Sequence, residues 1–226
     1  MIINEIFYCL QGEGKLAGTP SALIRLAGCP LRCRWCDTKY ACPTTAGQPR
    51  TPEQILTEIS EYPTRHAIVT GGEPLAQQDT PHLLQALEHA GMHVTIETCG
   101  IHYHENIPCD LMSISPKLSN STPDDPELAS PHDAARLCPE ILQKLIDNYD
   151  YQLKFVVDTP ADLDEIAELL DSLNNVNPYK VFFMPQASTR DEYLQKSQLV
   201  AQICEKTGFK MSQRLHILLY DGQKGR

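Results

Sequence analysis

Three cysteines, Cys29, Cys33 and Cys36, fall in the run Gly28-Cys-Pro-Leu-Arg-Cys-Arg-Trp-Cys-Asp-Thr38, directly behind the apolar stretch Ala22-Leu-Ile-Arg-Leu26, which reads as a buried strand. A C-x3-C-x2-C triplet on one short loop can bring three thiolates onto three irons of a cubane cluster and leave the fourth iron free for a small molecule. A structural zinc site, with Cys42 or a nearby histidine as fourth ligand, uses similar short spacings. Zinc modules usually draw two ligand pairs from separate turns, whereas here all three thiols follow one strand, with Trp35 just before the last of them. The loop therefore asks for a fold that gathers its chemistry at the end of a strand.

Short β-rich apolar runs alternate with helical patterns from about residue 22 onward, the pattern of βα units and a parallel sheet. Strands are expected at Ala22-Leu26, Ala67-Thr70, Val94-Glu97, Leu111-Ser115, Leu153-Val157, Lys180-Met184 and Leu215-Leu219. Amphipathic helices are expected at Pro52-Ser60 after a Thr51 cap, Thr80-Ala90, Pro139-Asn148, Pro160-Leu173 after a Thr159 cap, and Asp191-Thr207. Ile2-Tyr8 alternates well enough to add a strand, and Pro116-Pro131, rich in Ser, Pro, Asp and Asn, reads as a long surface loop. The expected fold class is α/β, an incomplete (β/α)6 barrel with added N-terminal and C-terminal elements, in a single domain over residues 1–226. Such a barrel carries its site at the C-terminal ends of the strands, where the cysteine loop lies.

A net charge of −10 argues against a nucleic-acid binder, whose affinity comes from clustered Lys and Arg. No apolar run is long enough to span a membrane and Met1-Ile-Ile-Asn-Glu-Ile lacks a signal-peptide pattern, so a cytoplasmic protein is expected. Nine cysteines, an odd number with three in one short loop, fit a reducing compartment better than a disulfide framework. Cys9, Cys42, Cys99, Cys109, Cys138 and Cys204 lack cluster spacing and read as structural thiols, and His102 and His104 as residues of a solvated loop.

Behind the next strand stands Thr70-Gly-Gly-Glu-Pro74, either a tight βα turn or a place where backbone approaches a ligand without side-chain interference. Upstream, Leu10-Gln-Gly-Glu-Gly14 can present backbone N–H groups and a carboxylate to a hydrogen-bonding heterocycle, or simply turn a hairpin. Arg25, inside an apolar run, needs a carboxylate, whether from a substrate or from a structural Asp or Glu. His216, between Leu215 and Ile217, is a candidate pocket residue or a half-buried packing residue.

The cysteine triplet followed by the GGEP turn resembles the radical S-adenosylmethionine (SAM) superfamily. LQGEG, Arg25, GCPLRCRWCDT, TGGEP, Glu97-Thr-Cys-Gly100 and Ser115-Pro-Lys117 together resemble the 7-carboxy-7-deazaguanine synthases of queuosine biosynthesis, with Met184-Pro-Gln186 and Arg214-Leu-His216 as looser matches. That resemblance implies a lyase that turns 6-carboxy-5,6,7,8-tetrahydropterin into 7-carboxy-7-deazaguanine and ammonia, using a 4Fe-4S cluster, SAM and Mg2+. It implies that Cys29, Cys33 and Cys36 hold the cluster and Thr38 the magnesium. Leu10, Gln11, Gly12, Glu13, Arg25, Thr70, Glu97 and His216 are the implied substrate contacts. Trp35, Cys36, Asp37, Gly72, Glu73, Ser113, Ser115, Lys117, Pro185 and Gln186 are the implied SAM contacts. A flavodoxin or ferredoxin as electron donor and a homodimer are implied as well. A glycyl-radical activating protein is the related alternative, against which LQGEG, Arg25 and Cys36-Asp-Thr38 weigh, and a zinc-binding module is the non-catalytic one.

Overall fold

A computed structural model describes residues 1–225. Its spine is a nine-stranded sheet in the order β3-β1-β2-β4-β5-β6-β7-β8-β9, which does not close on itself. The strands are β1 (Ile2–Leu10), β2 (Pro20–Leu26), β3 (Gln48–Pro49), β4 (His66–Gly71), β5 (His93–Thr98), β6 (Leu111–Ile114), β7 (Tyr151–Val157), β8 (Val181–Pro185) and β9 (Lys210–Met211). From β2 to β9 every neighbour is parallel, whereas β1 runs antiparallel to both β2 and β3. Six full parallel strands in an open curve are the partial barrel expected from the βα alternation, and β1 is the added N-terminal strand.

The helices are α1 (Pro52–Ile59), α2 (Thr80–His89), α3 (Pro126–Ala135), α4 (Pro139–Asn148), α5 (Asp162–Ser172), α6 (Arg190–Thr207) and α7 (Leu215–Tyr220). Local chemistry starts several of them. Thr51 and Thr189 each form a capping box with the residue three places on, Gln54 and Glu192, and proline opens α1 in its first turn. Ile55, Leu83, Leu84, Leu142, Leu145, Ile166 and Val200 then turn inward from the helices onto one continuous core with the strands.

Three expectations are corrected. Leu215-Leu219 is the short helix α7, not a strand; a five-residue apolar run carries too little periodicity to choose, and only Ile217 of it is fully buried. Pro116-Pro131 is not one long loop: it contains a 3-10 turn at Ser119–Ser121 and most of α3, whose first turn is capped by the Asp125 carboxylate on the Glu127 N–H. Composition misled there because α3 is largely exposed, with His132 its one buried residue. Thr159 is not the cap of α5; instead Asp162, the first helical residue, accepts from the backbone N–H groups of Asp158 (2.7 Å) and Thr159 (2.9 Å).

Candidate functional site

Alternation along the strands sorts their side chains to two faces. Toward the helices point Ala22, Ile24 and Leu26 of β2, Val69 of β4, Ile96 of β5, Ile114 of β6, and Leu153 and Phe155 of β7. The intervening residues Arg25, Thr70, Glu97, Ser113 and Lys154 face the other way, where a buried strand would ordinarily stay apolar. Register sets them side by side, Arg25 opposite Thr70 and Glu97 opposite Ser113. They line a cavity of about 490 Å³, within the roughly 300–1,000 Å³ typical of small-molecule sites.

The cysteine loop closes one end of this cavity, and Cys29, Cys33, Cys36 and Thr38 all line it. Backbone contacts hold the loop: Gly28 and Cys29 donate to the carbonyls of Ala41 (2.8 Å) and Cys42 (3.0 Å), and Glu73 N–H donates to Gly28 O (2.8 Å). The Gly-Gly turn after β4 comes so close that a Cβ on Gly72 would lie 2.1 Å from Gly28 O and 2.8 Å from Cys29 N. Leu31, Cys33 and Cys99 form a small apolar cluster under the loop, against which Cys29 and Cys36 pack. Burial pushes the Cys33 thiol up, and contact with Cys42 together with burial pushes Cys36 up, so metal loading must release protons. Among the described residues no three His, Cys, Asp or Glu side chains converge on one point as ligands of a single ion. A cubane asks for something else, three separate sulfurs each on its own iron around an accessible space, and the thiols of this loop fit that demand.

The other end is built from charge. Lys154 Nζ, its side chain 2% exposed, lies 2.7 Å from Glu13 Oε2 and 3.3 Å from Glu97 Oε1. Arg214 then bridges Glu13 Oε1 (3.1 Å) and Asp37 Oδ2 (2.8 Å), so charges alternate from Glu97 through Lys154, Glu13 and Arg214 to the cysteine loop. Burial alone would push the Glu13 carboxyl up, but Lys154, Arg214 and His216 outweigh it and bring it down to about 2. By the same exchange Lys154 rises to about 12 although burial opposes its charge. Gln11 Nε2 adds a donor to Glu97 Oε1 at 3.3 Å.

The local fold explains how the LQGEG loop reaches this position. Gly14 sits at φ +73, donates to Ser212 Oγ (2.7 Å), and approaches Gln152 so closely that a Cβ would collide at 2.2 Å. Leu215 N–H donates to Gly12 O (2.9 Å), which docks α7 and His216 on the same loop. Beyond α7 the turn at Gly222–Gly225 completes the rim, with Lys224 Nζ 4.0 Å from the centre of the Tyr40 ring.

All eight expected substrate contacts, Leu10, Gln11, Gly12, Glu13, Arg25, Thr70, Glu97 and His216, line the cavity. Arg25 meets a structural carboxylate, Glu5 of the adjacent β1, through Nε at 2.7 Å, and Tyr40 donates to the same oxygen. Among the described residues its Nη groups have no hydrogen-bond partner, which leaves half of the fork for a ligand. Of the expected SAM contacts, Trp35, Cys36, Asp37, Gly72, Ser113, Ser115 and Lys117 line the cavity, and Glu73, Pro185 and Gln186 do not. Glu73 is 0% exposed and accepts from Leu75 N, Thr98 Oγ1, Cys99 N and Cys99 Sγ, so it ties the turn after β4 to the turn after β5. Pro185 is buried at the end of β8, and the Gln186 side chain accepts from Lys196 at 2.6 Å. Cys99, read as a mere structural thiol, lines the cavity; His104 bonds Leu75 O at 3.0 Å and is half-buried rather than solvated. The sequence reading missed Lys154 and Arg214. Lys154 carried the same signal as Arg25, a charge inside an apolar strand run; Arg214 stood in the looser match Arg214-Leu-His216 but was given no role.

A parallel partial barrel with three loop thiols behind one strand and a close-packed glycine turn behind the next defines a radical SAM enzyme, and residues 23–115 match the radical SAM superfamily. The chain is 40% identical over 232 residues to the 7-carboxy-7-deazaguanine synthase of Halobacterium salinarum, across 97% of this chain and 90% of that protein. It is 37% identical over 229 residues to the synthase of Rhodopirellula baltica, across 100% of this chain and 88% of that protein. The crystal structure of QueE from Escherichia coli superimposes with a TM-score of 0.69 at 26% identity, covering 93% of this chain and 92% of that one. The chain belongs to the 7-carboxy-7-deazaguanine synthase family of radical SAM lyases. That membership carries a 4Fe-4S cluster and SAM, and sets aside the zinc module and the activating protein.

Proposed function

We propose that this chain, as one domain, converts 6-carboxy-5,6,7,8-tetrahydropterin to 7-carboxy-7-deazaguanine with release of ammonia, as a step of queuosine biosynthesis. The observation that carries the reading is that the cysteine loop and the Glu97-Lys154-Glu13 group share one cavity. When bound, the reduced cluster and SAM supply a 5′-deoxyadenosyl radical. The chain's own task is to seat the substrate and exclude other reactions.

Cys29, Cys33 and Cys36 would hold the cluster. Trp35, steadied by donation from its Nε1 to Asn120 O (3.0 Å) and lying under Lys117 Nζ (5.7 Å to the ring centre), would border SAM together with Gly72 and Ser115. Glu13 and Glu97 would accept from the N–H edge of the pterin, and the unpartnered Nη groups of Arg25 suit a carboxylate. Thr38, its Oγ1 3.6 Å from Cys36 Sγ, would give a magnesium ion one hydroxyl oxygen, the remaining ligands being the substrate carboxylate and waters, as a hard cation prefers. Among the described residues no helix is long and apolar enough to cross a membrane. Family resemblance supports a cytoplasmic homodimer that takes its electron from a flavodoxin or ferredoxin.

The test is anaerobic incubation of cluster-reconstituted protein with reductant, SAM, Mg2+ and the carboxytetrahydropterin, following the deazaguanine by mass. Product is expected only with all components present. An intact cluster that cleaves SAM yet yields no deazaguanine contradicts the reading.

A further inference from the structure

Lys154 belongs to no motif, yet it is the most deeply buried charge of the cavity, 2% exposed in the middle of β7. A lone ammonium in that position is strongly disfavoured, because burial strips its hydration. What offsets it is a pair of carboxylates from two different elements, Glu13 from the loop after β1 and Glu97 from β5, at 2.7 Å and 3.3 Å. Two carboxylates around one small space would ordinarily share a proton, since like charges raise one another. At Glu13 the ammonium and the Arg214 guanidinium outweigh that tendency. The other groups facing the pair are Arg214 and His216 from the C-terminal side, the neutral Gln11, and Cys9 of β1, whose thiol is pushed up to about 12 by burial and by Glu97.

We propose that Lys154 is a specificity-determining residue: by bonding an oxygen of Glu13 and an oxygen of Glu97 it fixes both carboxylates on the cavity wall and so selects a 2-amino-4-oxo ring over a 2,4-dioxo ring. The inference rests on the pterin reading above and deepens it. A 2-amino-4-oxo pyrimidine presents its ring N–H and exocyclic amino group side by side, two donors that an ionised carboxylate matches and a protonated one does not. A 2,4-dioxo ring puts an acceptor where the amino group was. Facing a fixed carboxylate it meets lone pair against lone pair, and a site built to accept from an N–H rejects the analogue that lacks it by a large factor. Lys154 acts here through the two carboxylates it bonds, so its effect is to position and polarise them.

The experiment is equilibrium binding of 6-carboxypterin and 6-carboxylumazine, neither of which turns over, to the cluster-loaded protein by fluorescence titration between pH 5 and pH 9. The wild-type protein is expected to prefer the pterin by about 100-fold or more throughout that range, because Glu13, held down to about 2, does not titrate in it. Lys154→Met and Lys154→Gln are expected to bring the preference below about 10-fold, most of all at the acid end, while iron content and SAM binding hold; Lys154→Arg is expected to keep it. A folded, cluster-loaded Lys154→Met or Lys154→Gln with the wild-type ratio overturns the role of Lys154 alone. A wild-type ratio that collapses between pH 8 and pH 5 does the same without any variant, which keeps the proposal open to refutation if both substitutions prevent folding. Failure of the wild-type protein to bind either compound overturns the pterin reading and this proposal with it.

Discussion

Backbone hydrogen bonds between neighbouring turns fasten the strand-side start of the cysteine loop, whereas the charged group that reaches the loop at Asp37 is held by side chains far apart in the chain. Gly28, Cys29, Gly72 and Glu73 are fastened through their own N–H and C=O groups. Glu13 meets Lys154 across 141 positions and Arg214 across 201, and Arg214 meets Asp37 across 177. The first construction fixes the path of the loop at Gly28 and Cys29 through main-chain atoms and the close approach of Gly72. The second sets charged side chains from distant parts of the chain on one cavity wall, and it does so only when the whole barrel has formed. The thiol loop thus rests on local geometry, and the charged wall of the cavity on tertiary contacts.

The sharpest way to separate the two ends is to remove a thiol. Cys33→Ala is expected to reduce iron and sulfide to background and abolish product, while leaving the ion chain and the fold intact by circular dichroism. Loss of the fold instead would mean that the cysteine end supports the barrel.

Gly72→Ala tests the backbone construction directly. Its Cβ would meet Gly28 O and Cys29 N, both main-chain atoms that cannot rotate away. A destabilisation of about 3 kcal/mol is expected in denaturant unfolding, and a near-neutral result would show that the two turns can part. Glu73→Gln is a milder break at the same end. It replaces an acceptor of four donors by a group that presents its own N–H to them, and about 2 kcal/mol of stability should go. SAM affinity in the folded fraction should hold, whereas a selective loss of SAM binding would return Glu73 to the cofactor. The smallest effect is expected at Lys15, whose pair with Asp150 is made by side chains 40% and 48% exposed. Lys15→Ala should cost under about 1 kcal/mol, and a larger loss would mean that even the exposed ion pairs at the rim of the barrel hold the charged end together.

The same contrast explains what could be read from the chain before it was folded. Spacing and neighbours are local, so the cysteine triplet, the GGEP turn and the strands that feed them were legible, and the βα alternation was enough for the partial barrel. Arg25 was visible as a charge in an apolar run, but not its pairing with Glu5, because that depends on the antiparallel register of β1 with β2. Lys154 gave an equal signal, yet its role needed the partners that only the curvature of the open sheet brings to it. Arg214 stood only in a loose motif match, and nothing in Gln213-Arg-Leu-His216 tells that it reaches back to Glu13 and Asp37. Glu73 shows the opposite: its motif was plain, but the local pattern did not tell that four chain donors occupy its carboxylate away from the cavity. α3 and α7 were missed because an exposed helix and a helix of six residues both lack the apolar period by which helices are recognised.

The central claim is that the two ends make one site, with the substrate seated by the charged end within reach of the radical made at the other. Its most direct test is isotope transfer from 6-carboxytetrahydropterin deuterated at C6, with the 5′-deoxyadenosyl group examined by mass spectrometry. Deuterium in that group, alongside deazaguanine, is the predicted result. Deoxyadenosine that forms without deuterium while the pterin stays bound and unchanged would contradict the account.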